Sequence, residues 1–130
     1  LLLADEDVAK KEPAGPAFIW LYDISDETNP HAFGSFQLEH LDSNVPAPNM
    51  TGCHQPVEVV RGTEIPVAWF EQGLRIMDIA DPHAPKEVAY YVPDAPKDAE
   101  RPLSNDVFQD DDGLIYLIDR DWGLHILERT

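Results

Sequence analysis

Apolar and polar positions alternate with a period of two in ten short runs, each bordered by Gly, Pro, Asp, Asn or Ser. Alternation of that kind sends successive side chains to opposite faces, which marks strands rather than helices. The pattern predicts strands over residues 1–5, 18–24 and 32–38. It predicts four more over 54–60, 65–70, 74–79 and 87–92, and a last three over 106–109, 114–119 and 124–128. Twelve prolines against seven glycines make a turn-rich balance that is poor for long helices.

The runs also repeat. Gly73-Leu74-Arg75-Ile76-Met77-Asp78-Ile79-Ala80-Asp81-Pro82 aligns with Phe18-Ile19-Trp20-Leu21-Tyr22-Asp23-Ile24-Ser25-Asp26, and Gly123-Leu124-His125-Ile126-Leu127-Glu128 begins a third copy. Asp23, Asp78 and Glu128 are equivalent positions, 55 and 50 residues apart. Strand-built repeats of roughly 40–50 residues are the signature of propeller blades. The fold expected is all-β, a β-propeller fragment of about two and a half four-stranded blades. Its parts are a partial blade over 1–39, a blade over 53–93 and a blade over 104–130. With strands lettered a to d from the axis outward, the first blade lacks a and the third lacks d. A propeller is a closed ring, so the expectation is the C-terminal part of a larger propeller. The missing sector would come as another chain or a cleaved fragment, and the apolar opening Leu1-Leu2-Leu3 fits a start inside a strand.

The connections sort into two faces. Asp-rich turns with Pro (Asp23 to Pro30, Asp78 to Pro85) join c to d, the second Asp accepting a backbone N–H two residues on. Asp110-Asp111-Asp112-Gly113 reads as the a-to-b hairpin, because its acids are consecutive rather than alternating as in a calcium loop. The opposite face holds the long connections, 39–52 and 93–103 among them. Long loops on a rigid scaffold are where binding residues collect.

Charge narrows the partners. With 9 basic against 25 acidic residues the net charge is −16, a field that repels nucleic-acid backbones and anionic membrane surfaces. No run of about 18 apolar residues crosses a membrane. Cys53 is the only cysteine, so neither an internal disulfide nor a cysteine-pair zinc site can form within this chain.

The glycine-led runs at 73–79, 113–120 and 123–128, with Ser104-Asn105-Asp106-Val107-Phe108 and Gly52-Cys53-His54-Gln55 as strand-a openings, resemble the repeats of LVIVD-repeat proteins, a family of bacterial β-propellers. The resemblance covers most of the chain from Phe18 onward. It implies a propeller and favours an exported protein, periplasmic or extracellular, and carries no set of catalytic residues with it.

Two function classes follow. One is a binding scaffold whose axial, long-loop face takes a small molecule or a protein partner. The other is an enzyme with a His-lined axial site performing hydrolysis, isomerisation or oxidation. His54 and Asp106, at strand-a openings of successive blades, are the candidate catalytic pair; the bland alternative is that they hydrogen-bond neighbouring backbone. His54 is also the candidate ligand for a transition metal on the axis, zinc, copper, iron or nickel. His40, Asp42, Asn105, Arg120 and Trp122 are the candidate ligand-binding residues. Arg120 beside an aromatic suits a carboxylate or a ring, unless it pairs with Asp119. Trp20, Trp69, Phe70, Tyr90 and Tyr91 read as blade packing. No nucleophile elbow, phosphate-binding glycine loop or zinc-protease helix motif is present.

Overall fold

The computed structural model describes residues 1–6, 17–38, 52–95, 97, 99 and 101–130. Among them every regular element is a strand. They are β1 (Leu2–Ala4), β2 (Ile19–Asp23), β3 (His31–Phe36), β4 (Gln55–Pro56), β5 (Glu64–Ala68), β6 (Leu74–Asp78), β7 (Lys86–Tyr91), β8 (Ser104–Gln109), β9 (Ile115–Asp119) and β10 (Gly123–Leu127). They form three separate antiparallel meanders: β1-β2-β3, β4-β5-β6-β7 and β8-β9-β10. The all-β expectation holds.

One strand is much shorter than the alternation predicts. Residues 54–60 alternate well, yet only Gln55 and Pro56 pair with β5. Pro56 and, next to its partner Val67 on β5, Pro66 each lack an N–H, so the ladder loses donors on both sides. His54 N–H to the Ala68 carbonyl and Val57 N–H to the Pro66 carbonyl, both 3.0 Å, are what hold this edge. Beyond them Glu58, Val59 and Val60 turn out to solvent. β8 starts earlier than predicted, because Asp119 and the Phe70 carbonyl capture Leu103 and Ser104.

The turns follow the chemistry of their side chains. Asp23, Asp26, Asp78 and Asp81 each accept the backbone N–H two residues on, at 2.8–3.1 Å. Asp110 Oδ1 accepts from Asp112 N and Leu114 N, and Gly113 supplies the positive φ of 89° that closes the hairpin. This is a turn rather than an ion loop.

The three sheets share one core. Ile19, Phe36 and Leu38 from the first sheet, Ile65, Val67, Trp69 and Met77 from the second, and Val107, Ile115 and Leu117 from the third form one continuous core. Trp69 is fully buried and meets Phe36 edge-on, 5.8 Å between centroids. Arg75, also buried, is fully engaged: Nε on the Gln72 carbonyl at 2.8 Å, Nη1 on Glu87 at 3.2 Å, and the guanidinium 4.9 Å above the Tyr90 ring. A buried cation is tolerable only when neutralised and hydrogen-bonded like this. Arg61 to Asp111 and the Gln109 carbonyl, and Arg129 to Glu64, tie the third sheet to the second.

Candidate functional site

The face opposite the Asp-rich turns brings together a small cluster from two sheets, and its centre is Phe70. This residue lies in the tight connection between β5 and β6, with φ of 41° and no exposed surface. A positive φ costs an aromatic residue on the order of 1–3 kcal/mol, so the surroundings must enforce it. They do so through its carbonyl, which accepts from Gly73 N at 3.1 Å and from Ser104 N of β8 at 2.9 Å.

Around the Phe70 ring stand two of the sequence candidates. His54 meets the ring edge-on at 4.5 Å, with an interplanar angle of 74°. The Arg120 guanidinium carbon lies 5.8 Å from the ring centroid, inside the range of a cation–π contact. Asn105 Oδ1 accepts from Arg120 Nε at 2.5 Å, which fixes the plane of the guanidinium. Among the described residues the two terminal nitrogens of Arg120 have no partner. His54 Nε2 faces the Glu6 carboxylate at 3.4 Å, while its Nδ1 is buried without a hydrogen bond.

Arg120 does not pair with Asp119. That buried carboxylate uses both oxygens on other groups: Oδ2 accepts from Leu103 N and Ser104 Oγ, and Oδ1 from Asp121 N and Trp122 N. It builds the loop on which Arg120 and Trp122 sit. Trp122 is half exposed, and its indole N–H donates to the Asp94 carbonyl.

His54 and Asp106 are not brought together. A bulge between Ser104 and Asp106 leaves Asn105 out of the β8–β9 register, shifting the alternation by one residue. Asn105 therefore meets Arg120. Asp106 caps Val107 N at 2.8 Å and lines a separate cleft of about 230 Å³ with Val57, Arg61 and Phe108. His40 and Asp42 lie outside the described residues.

The described residues offer His54 and Glu6 as a donor pair, and no group of three or more His, Cys, Asp or Glu among them is placed to hold a metal ion. No metal-dependent step is derived from this set. Cys53 is equally unsuited to chemistry. It is fully buried between the first two sheets, 3.5 Å from the Phe18 carbonyl and 3.6 Å from that of Asp5. Burial pushes its thiol up to about 11, so it stays protonated at neutral pH and is a poor nucleophile.

Glu6 and Phe70 were the residues that sequence patterning misses. Phe70 did leave a signal. It occupies the repeat position of Arg120, three residues before the equivalent glycines Gly73 and Gly123, so two successive repeats present a large side chain at the same point of the same loop.

Among protein-family models, curated proteins and solved structures, none matches this chain.

Proposed function

We propose that the chain is an arc of a β-propeller, about two and a half blades, completed by further blades from another segment or chain. Its long-loop face is a binding site for a small carboxylate-bearing ligand. Support for the arc comes from the two outer sheets, each of which turns a bare apolar face away from the centre. Leu3 and Trp20 pair across the first, and Ile118 with Leu124, and Tyr116 with Ile126, across the third. Leu124 and Ile126 are 58% and 59% exposed. Faces of this kind are covered in a stable protein. Substituting Leu124→Glu with Ile126→Glu is expected to convert a self-associating chain into a folded monomer in sedimentation. A wild-type chain that is monomeric and cooperative at high concentration would count against the arc.

The binding half rests on one observation: the exposed Arg120 lies over the Phe70 ring, is held at Nε by Asn105, and has no partner for its two terminal nitrogens among the described residues. That geometry accepts a carboxylate through two hydrogen bonds. Trp122 alongside provides an apolar wall and a fluorescent reporter. Titration with succinate and benzoate, read by Trp122 emission and by the Arg120 side-chain NMR signals, is the test. Arg120→Lys should weaken binding by about tenfold, since a point charge cannot make the paired contact. Carboxylates that leave both signals unmoved would refute the assignment.

A further inference from the structure

The β5–β6 and β9–β10 connections are equivalent loops of the repeat, closed in two different ways. Trp69, Phe70 and Gln72 stand where Asp119, Arg120 and Trp122 stand, ahead of the equivalent glycines Gly73 and Gly123. In the second sheet the main chain closes the loop on itself. Trp69 N donates to the Gly73 carbonyl at 2.7 Å, and Gln72 N to the Trp69 carbonyl at 2.8 Å. Phe70 and Gln72 are both buried.

In the third sheet a side chain takes over that work. Trp122 N, the counterpart of Gln72 N, donates to Asp119 Oδ1 at 3.1 Å, and Asp121 N joins it at 3.0 Å. The flanking Arg120 and Trp122 side chains are exposed. Asp119 itself is buried, and its other oxygen crosses to the next connection. Oδ2 accepts from Leu103 N at 2.7 Å and from Ser104 Oγ at 3.4 Å. Leu103 closes the circuit through its carbonyl, which accepts from Arg120 N at 3.0 Å.

One carboxylate therefore takes four donors, about as many as its two oxygens can accept. They come from both connections that flank Arg120. Asn105 fixes the guanidinium end of that side chain; Asp119 fixes its main-chain end. A loop closed by its own backbone would not need such an acid, as the second sheet demonstrates.

We propose that Asp119 is the positioning residue of the carboxylate site, holding Arg120 and Trp122 in the binding geometry before a ligand arrives. This rests on Arg120 as the carboxylate anchor. Affinity then depends on a residue that touches no ligand, because a loop ordered in advance loses less freedom on binding.

The test is Asp119→Asn in the full chain, against Ile115→Val as control. Asparagine keeps the size but turns an amide NH2 toward N–H groups that need an acceptor. Ile115 is a buried core residue on the same strand, so its truncation loosens the sheet without touching the loop. Two readouts apply: benzoate affinity, and the Arg120 Nε–H and Trp122 indole N–H resonances of the ligand-free chain. Asp119→Asn should weaken benzoate by about tenfold and broaden both resonances, while Ile115→Val lowers the melting temperature and leaves both readouts at wild-type values. Ser104→Ala removes one donor of four and should move the same resonances less, which keeps the test open should Asp119→Asn not fold.

Resonances unmoved in both loop variants would overturn the proposal, as would wild-type affinity in Asp119→Asn or an equal loss in Ile115→Val. A wild-type chain that ignores benzoate would instead sink the carboxylate reading, and the ligand-free resonances would still decide whether Asp119 orders the loop.

Discussion

The second sheet and the third are built from nearly the same words and end in opposite environments. On β6, Leu74, Arg75, Ile76 and Met77 are all buried; on β10, the equivalent Leu124, His125, Ile126 and Leu127 are exposed or half-exposed. The sequence supplies a strand that is apolar on both faces in each case. Only the middle one has a sheet on either side. Burial in this molecule is therefore a property of stacking order, and the hydrophobic effect acts between repeats rather than within one.

The largest test of that contrast compares two tryptophans. Trp69 is fully buried at the centre, while Trp20 lies on the bare face of the first sheet. Trp69→Ala should cost about 3–5 kcal/mol in denaturant unfolding, and Trp20→Ala about 1 kcal/mol. Near-equal losses would mean that the outer face is covered in solution. A second pair uses equivalent glycines, both in the left-handed region. At Gly73, with φ of 74°, a Cβ would sit 2.3 Å from the Tyr91 carbonyl; at Gly123, with φ of 83°, nothing lies within 4 Å. Gly73→Ala should cost about 3 kcal/mol and Gly123→Ala about 1 kcal/mol, the latter being the backbone penalty alone.

The smallest effect should be indifferent to position. Asp23 and Asp78, in equivalent turns of an outer and the central sheet, are both held below the ordinary carboxyl value of 3.8, chiefly by the backbone N–H groups of Ser25 and Ala80. A depressed folded value means that the stabilisation is complete above 3.8 and is lost as pH falls through the lower folded values. Thermal melts between neutral pH and pH 2 should lose stability in that acid window, and Asp23→Asn and Asp78→Asn should each flatten it to a similar degree. A loss confined to one variant would show that the two turns are not equivalent.

Strand positions were largely legible because each strand alternates and each turn carries Asp, Pro or Gly at the place its geometry demands. The failures have local causes. Residues 54–60 have the right pattern, but Pro56 and Pro66 withhold donors that no hydropathy pattern records. The candidate site was half legible. His54, Asn105 and Arg120 stood out as polar groups at loop and strand openings; His54 and Arg120 lie against one ring, and Asn105 holds Arg120. Pairing His54 with Asp106 failed because a bulge is a one-residue event, invisible to a period-two reading. Phe70 was hidden by its own hydrophobicity: an aromatic on a strand looks like packing until its φ is known.

That residue has a mechanical consequence. One carbonyl, Phe70's, terminates the hairpin of the central sheet through Gly73 and starts the first strand of the next through Ser104. Rotation of that single peptide toward a relaxed geometry would release both contacts in the same instant. The loop and the neighbouring strand thus share a latch, spring-loaded by the strain at its pivot, and motion on one side of the seam should appear on the other with the same rate.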